Sequence, residues 1–535
     1  SFIISIPIIF IHVGEAVAYG EWNHKLTSRV FNHLFSPDEV MKTADASMSI
    51  KFALASIVFI FLSYILSKRL FSFRAQFDHP TLHQVLRSLV LVPLAAAFLF
   101  LAARGGLQQI PINSNDAYYS NNYVLNDLSV NSTYFFGKSY MLYKRGNLDK
   151  YLPDVTPESQ AFIDDLWFNY PLEHDQYILD QAHPNIVYII MESWSANAMN
   201  SITGTHNCTP YFDQLAEQGL LFDNLYAVST TSEVGNTAII SGYPALPEIF
   251  ISKQPEKARQ LPSISRDLKS KGYTTNYLFS GDLKYGNIES YLTDQGFDLV
   301  EDEMDFPSDL PKGKLNYSDE ALFVLGEKRL DAAKEPFLQC FFTGSTHSPY
   351  DFPGHEKYTF YDGPEGKFMN SMRYADSVIF HFLKKMESKP WFDNTLFVLI
   401  SDHGHAVNGI QNPSSSSFFR IPCLVYGKPL KESFRGQRIS KLGSQADVVR
   451  TLSYQLKGDH TAYRWSKDLL NPHAPEYAVH AIARGYGFVN TSGSFAYELL
   501  TDVLIENSFK RKLFEDYSHY SKYLLAMIYA EYRGL

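Results

Sequence analysis

Apolar positions follow two regimes along this chain. Up to about residue 104 they form long unbroken runs, and from about residue 183 they form short runs alternating with amphipathic stretches. The first regime contains three runs. Residues 1–13, S-F-I-I-S-I-P-I-I-F-I-H-V, read as the tail of a membrane span; because the run is already under way at Ser1, an N-terminal truncation is expected. Residues 46–66 form the second run, flawed only by Lys51, and residues 88–103 the third, where Pro93 is placed to kink it. A full span takes roughly 20 apolar residues, with ~17 as the lower end, so the third is slightly short. Three such runs within about 100 residues are hard to bury in a soluble core. The pattern predicts a transmembrane helical domain over residues 1–104.

Residues 105–182 are polar, rich in Asn, Tyr, Ser and Asp, with a helical patch around Glu158–Phe168. They are expected to form an extracytoplasmic linker that packs on the next domain. From His183 the pattern becomes strand–helix alternation. Asn185–Ser193 (N-I-V-Y-I-I-M-E-S) and Thr395–Gly404 (T-L-F-V-L-I-S-D-H-G) both open as apolar, partly β-branched runs, as strands covered on both faces do. Between them, Thr209–Gly219 predicts a helix with Thr209 as N-cap, Pro210 in the first turn and Gly219 as the stop. Ser263–Lys271 and Met369–Met386 read as further helices, and Tyr273–Phe279, Pro336–Thr343 and Pro422–Gly427 as further strands. Strands joined by helices predict an α/β fold with a mostly parallel central sheet over residues 183–505. The last stretch, Ile505–Leu535, is aromatic and charged at helical spacing. Lys510, Arg511, Lys512, Glu515 and Asp516 interrupt it, so residues 506–535 are expected to be a helix packing on the α/β domain rather than another span.

Charge sets an orientation. Short loops rich in Lys and Arg stay in the cytoplasm. The 67–87 loop carries Lys68, Arg69, Arg74 and Arg87, whereas the 14–45 loop mixes Lys25, Arg29 and Lys42 with more acids. The third run then leaves the cytoplasm, and everything after Arg104 lies outside. A net charge of −10 argues against a nucleic-acid partner, because such binders present basic surfaces. The three cysteines, Cys208, Cys340 and Cys423, are odd in number and widely spaced, so they form no disulfide framework and no C-x-x-C zinc site.

Candidate chemistry sits where the two apolar strands end. Ligands in open α/β sheets bind outside the carboxyl ends of the strands. Glu192 ends the first of these strands, and Asp402 and His403 the second. Oxygen and nitrogen donors without thiolate suit Mn²⁺, Mg²⁺ or Zn²⁺. A hydroxyl cluster, Thr230-Thr231-Ser232, precedes the small-residue run that ends in Ser241-Gly242. Ser232 or Thr231 could simply cap a helix. Alternatively one of them is a nucleophile at a helix N-terminus, where amides and dipole favour a bound phosphate and an adjacent metal helps remove the hydroxyl proton.

Together, the strand ending in M-E-S, the T-P-Y-F-D-Q-L-A helix, the hydroxyl cluster before A-I-I-S-G-Y-P-A-L-P, the F-T-G-S-T-H-S-P-Y segment, the S-D-H-G strand end and R-I-P-C-L-V-Y-G resemble the lipoteichoic acid synthase family of the sulfatase and alkaline phosphatase superfamily. The resemblance implies a multi-pass protein of the bacterial cell (inner) membrane with its catalytic domain outside the cytoplasm. The family has five membrane helices, of which this chain would lack the first two. It implies Glu192, Asp402 and His403, with the nucleophile's hydroxyl, as ligands of Mn²⁺ or Mg²⁺, and His347 as a catalytic histidine on the substrate side. The family's nucleophile is normally a threonine. Ungapped spacing from Gly235 and S-G-Y-P places Ser232 there, and a one-residue shift places Thr231 there. The family's aromatic and arginine substrate contacts after Y-L-F-S-G-D are not clearly matched, which leaves Asp282 and Asn287, with His347, as expected substrate-binding residues. The implied donor is a phospholipid such as phosphatidylglycerol, and the implied acceptor a glycan or glycerol-phosphate hydroxyl. Phosphoethanolamine transfer, phosphodiester hydrolysis and a catalytically silent scaffold are the alternatives. Formylglycine-type sulfatase chemistry is not expected, because Phe212 stands where C-x-P-x-R needs arginine after Cys208.

Overall fold

The computed structural model describes residues 2–22, 25–26, 30, 46–70, 81–107, 117, 123–145, 148–204, 206–283, 288–363, 365–407, 409 and 412–535. They fall into two compact units. The first takes in the described residues up to Lys144 together with Thr501–Val503, and the second takes in the rest.

The first unit contains three helices, Phe2–Trp22, Ala46–Leu70 and Leu82–Arg104, each long and apolar enough to cross a membrane. The first two pack on each other: the hydroxyls of Ser5 and Ser63 are 2.6 Å apart, and the rings of Phe10 and Phe52 stack at 5.8 Å. The third is longer than its apolar run. It starts behind a capping box, with the Thr81 hydroxyl accepting from the Gln84 amide and the Gln84 side chain accepting from the Thr81 amide, and it stops at Gly105 in the left-handed region at φ 85°. Its 23 residues extend about 35 Å at 1.5 Å per residue, enough to cross a bilayer core. Lys68 and Arg69 lie in the last turn of the second helix and Arg87 near the start of the third, whereas Arg74 lies outside the described residues. Two further helices, Tyr123–Ser129 and Ser132–Arg145, follow the third.

The second unit is an α/β domain with strands β1 (Asn185–Met191), β2 (Leu220–Tyr226), β3 (Thr274–Phe279), β4 (Leu299–Glu301), β5 (Phe337–Phe342), β6 (Thr395–Ser401), β7 (Arg420–Tyr426), β8 (Gln437–Ile439) and β9 (Gly443–Ser444) in one sheet. Their order is β4-β3-β5-β1-β6-β7-β2-β8, with β9 beside β2. β1 runs parallel to both β5 and β6, and β7 is antiparallel to β6 and β2, so the sheet is mixed and mostly parallel. The apolar run of β1 follows from its position. Ile186, Tyr188 and Ile190 enter the core on one face of the sheet, while Val187, Ile189 and Met191 enter the core on the other. The expected helices stand at Pro157–Trp167, Pro210–Ala216, Ile264–Ser270 and Gly366–Met386.

The second sheet was not anticipated. It is formed by β10 (Tyr477–Ile482), β11 (Gly485–Asn490), β12 (Gly493–Glu498) and β13 (Val503–Asn507), with β10, β11 and β12 antiparallel in sequence. The final helix, Arg511–Gly534, buries Leu524–Tyr529 in a cluster with Trp167, Tyr477 and Phe488.

Candidate active site

Met191 of β1 pairs with Ser401 of β6 as the last step of a parallel ladder, so Glu192 and Asp402 leave the sheet side by side. Ligand atoms of Glu192, Asp402 and His403 all lie within 4.8 Å of one another. Ser193, in the left-handed region at φ 60°, turns the chain back on this cluster. Its amide donates to Asp402 Oδ1 at 2.7 Å and its hydroxyl to Glu192 Oε1 at 2.7 Å. The His403 amide also donates to Asp402 Oδ1, at 2.8 Å. His403 Nδ1 lies 2.9 Å from the Gly404 carbonyl, and donating there leaves Nε2 with its lone pair, 3.5 Å from Asp402 Oδ2 and 3.7 Å from Glu192 Oε1. Asp402 Oδ2 is buried and has no hydrogen-bond partner among the described residues. An unpaired carboxylate oxygen in the interior is costly, and two carboxylates with an imidazole fit a hard or borderline divalent cation.

The helix Ser232–Ser241 delivers a hydroxyl to the same point. Ser232 Oγ donates to Glu192 Oε2 at 3.2 Å and lies 3.4 Å from His403 Nε2. Thr231 precedes the helix in extended conformation; its hydroxyl makes no capping bond and is buried without a partner among the described residues. Gly235, one turn on, permits this approach, since a β-carbon there would stand 2.2 Å from the Asp402 carbonyl oxygen. Gln445 ties the parts together from behind. Its Nε2 donates to the carbonyls of Ser401 and Asp402 at 3.0 and 2.9 Å, and its Oε1 accepts from the Val228 amide at 2.9 Å.

His347 ends a turn after β5. Its amide donates to the Gly344 carbonyl at 3.0 Å, the Asn316 side chain donates to the same carbonyl at 3.1 Å, and Asp319 Oδ1 accepts from the amides of Gly344 and Ser345 at 2.9 and 3.1 Å. The neighbouring Thr346 hydroxyl donates to the Glu192 carbonyl, which ties this turn to the acid cluster. Burial holds the His347 ring below its ordinary pKa, with the charges of His403 and Asp402 acting in opposite directions on it. Asp282 is half-buried beyond the end of β3, the strand on the far side of β5. Asn287 lies outside the described residues.

Sequence reasoning missed several supports. His405 stacks on Phe368 at 3.7 Å and takes the Tyr350 hydroxyl at Nε2, 2.9 Å away; burial pulls its pKa down to about 4. D-H-G-H carried a signal for it, a second histidine two residues beyond His403. Gln445 and Asp319 act through main-chain groups distant in sequence and had no motif. Cys208 is a packing residue beside Phe212, and burial pushes its thiol up to about 11.

The residues 184–458, just over half of the chain, match the sulfatase family model. The chain belongs to the sulfatase family. It is 22% identical over 326 residues to the lipoteichoic acid synthase-like YvgJ of Bacillus subtilis (strain 168), covering 55% of this chain and 51% of that one. It is 24% identical over 323 residues to phosphoglycerol transferase I of Xanthomonas campestris pv. campestris, covering 57% of this chain and 45% of that one. It spans about half the length of the curated relatives it matches. Its fold is that of an alkaline phosphatase superfamily protein from Vibrio parahaemolyticus, with a TM-score of 0.62, 22% identity and coverage of 72% of this chain and 98% of that one. The sulfatase-family domain carries an acid–histidine cluster at the carboxyl ends of β1 and β6.

Electrostatics in the cluster yields a pH prediction. Burial, then the charge of Glu192, pushes the Asp402 carboxyl up to about 7 against the lowering effect of His403. Burial pulls His403 down, but Asp402 and Glu192 outweigh it and hold the ring above its ordinary value. A divalent cation must displace these protons, so its affinity should weaken as pH falls, by up to ~10-fold per pH unit for each proton displaced, and level off once both groups have lost their protons. Calorimetric titration of the metal-free chain with Mn²⁺ and Zn²⁺ between pH 5.5 and 8 checks this. Affinity independent of pH would contradict it.

Proposed function

We propose that this chain is a membrane-anchored phosphotransferase that moves a phosphoglycerol-type group from a lipid phosphodiester to a glycan or glycerol hydroxyl, through a covalent intermediate on Ser232. The observation that carries this reading is the position of the Ser232 hydroxyl, at a helix N-terminus and within 3.2–3.4 Å of both Glu192 and His403. The relatives named lipoteichoic acid synthase-like and phosphoglycerol transferase support the substrate class. Lys68 and Arg69 at the end of the second helix and Arg87 near the start of the third support a catalytic domain outside the cytoplasm of a bacterial cell.

Glu192, Asp402, His403 and Ser232 would hold the cation, with Mn²⁺ proposed and Mg²⁺ or Zn²⁺ compatible with the same donors. Bound there, it would neutralise charge on the phosphoryl oxygens and lower the pKa of the hydroxyl. Ser232 Oγ attacks phosphorus and passes its proton to the Glu192 side, where it already donates. The phosphorus–oxygen bond to diacylglycerol breaks. His347 Nδ1 lies 2.7 Å from the Ser348 carbonyl, and donating there leaves Nε2 to take up a proton when the anionic diester arrives. Nε2 then gives that proton to the departing glycerol oxygen. In the second step the acceptor hydroxyl gives its proton to His347 Nε2 and attacks the same phosphorus, the Ser232 Oγ–phosphorus bond breaks, and the proton held on the Glu192 side returns to Ser232. Asp282 and Asn287 are proposed head-group contacts.

The test is lipid product analysis on the purified chain with Mn²⁺ and vesicles of phosphatidylglycerol or phosphatidylethanolamine. Diacylglycerol release from phosphatidylglycerol, with a phosphoglycerol adduct on the protein, is expected. Release from phosphatidylethanolamine alone would move the reading to phosphoethanolamine transfer. No release from either lipid by metal-loaded protein would remove the transferase reading.

A further inference from the structure

We infer that the helices Tyr123–Ser129 and Ser132–Arg145 rest on the bilayer surface at the exit of the third span, latched to the first span through Glu15, with a lipid surface as their partner. This goes beyond the transfer chemistry and does not depend on it.

The latch is a buried polar cluster. Glu15, in the first helix, accepts from Lys25 Nζ at 2.6 Å, from the Leu26 amide at 3.2 Å and from the Ser132 hydroxyl at 2.6 Å. Lys25 Nζ also donates to the Val130 carbonyl at 2.9 Å, and the Thr133 hydroxyl lies 3.3 Å from the His12 ring. Glu15 and Lys25 are only 7% and 3% exposed, so the protein itself encloses this ion pair. Consecutive spans alternate in direction, so the carboxyl ends of the first and third helices emerge on one side. The contacts between Ser132 and Glu15 join segments that follow on that same side.

The depth of the latch fixes the depth of the two helices. The first apolar run ends at Val13, and a charge is strongly disfavoured in the hydrocarbon. The latch therefore lies in the last two turns of the Phe2–Gly20 span, at its carboxyl end, where the hydrocarbon gives way to the headgroups. Ser132 and Val130 are held at that level. Leu125, Leu128 and Tyr134 are exposed there, Leu128 by 70%. The sequence S-T-Y-F-F-G-K-S-Y-M-L-Y-K-R over Ser132–Arg145 combines aromatic and basic residues, the composition of segments that settle at the headgroup level.

Spin labels on single introduced cysteines test this in nanodiscs. The native Cys208, Cys340 and Cys423 are all buried, so the label reports the new site. Leu94→Cys, on the third helix, calibrates a lipid-exposed position, and Lys150→Cys a water-exposed one. At Leu125→Cys and Leu128→Cys the ratio of oxygen to nickel-chelate accessibility should exceed that at Lys150 severalfold and approach that at Leu94. A ratio matching Lys150, or exclusion of both reagents as under a protein partner, would overturn the inference. Adding Glu15→Ala should lower the ratio at Leu128 at least twofold and leave Leu94 unchanged, while Glu15→Gln, which keeps an acceptor, should restore it. Identical ratios in all three backgrounds would overturn the latch.

Discussion

Ser232→Ala is expected to cut the proposed transfer at least ~10³-fold, about 4 kcal/mol of barrier, because it removes the hydroxyl proposed to attack phosphorus. The fold should survive, since Ser232 lies at a helix start and is only half-buried. Much of the metal affinity should survive as well, with Glu192, Asp402 and His403 left in place. Thr231→Ala should cost far less. Neighbouring residues at a helix start point about 100° apart, so only one hydroxyl can face the acid cluster. The Thr231 hydroxyl is buried and unpaired among the described residues, and deleting an unsatisfied polar group can be nearly neutral. Kinetics of both variants, with mass spectrometry of the trapped phospho-adduct, decide the matter. An adduct on Thr231, or activity kept by Ser232→Ala and lost by Thr231→Ala, would move the nucleophile by one residue.

The sheet was legible because burial on both faces favours apolar residues inside a strand. β1 and β6 therefore stood out through the apolar runs Ile186–Met191 and Leu396–Ile400, each followed closely by charge, and this also pointed to Glu192, Asp402 and His403. The membrane helices were legible for the complementary reason, that lipid selects length and apolarity together. The antiparallel sheet β10–β13 was not legible. Its strands are short, and Gly485 and Gly487 break the apolar pattern where the Tyr497 backbone and the His480 ring come too close for a side chain. The clamps of the site were also hidden. Gln445, Asp319 and Asn316 hold the strand ends through main-chain groups of residues far away in sequence, and such contacts leave no spacing to read. Spacing from Gly235 pointed to Ser232 and a one-residue shift to Thr231; in the structure it is Ser232 Oγ that lies 3.2–3.4 Å from Glu192 and His403.

Gly235→Ala is expected to disable the site while leaving most of the fold intact. Alanine favours a helix interior over glycine by about 1 kcal/mol, so local propensity alone predicts a gain. Sterics oppose it. The new β-carbon would meet the Asp402 carbonyl oxygen at 2.2 Å and the carbonyl carbon at 2.9 Å, and both belong to backbone held by Gln445. Neither side can yield by rotating a side chain, so the helix must lift away from β6. Overpacking of this kind costs typically ~1–3 kcal/mol, more than the propensity gain. Ser232 would move with the helix, and a displacement of about 1 Å at a reacting group can cost ~10²-fold in rate. The expected result is a lower melting temperature, a fall in kcat of at least ~10²-fold and weaker metal binding, because the Asp402 backbone shifts too. Gly534→Ala is the control, since a β-carbon there meets nothing within 4 Å and should change neither property. Gly235→Ala with wild-type kcat and wild-type metal affinity would mean that the close approach of helix and strand is not what places the hydroxyl.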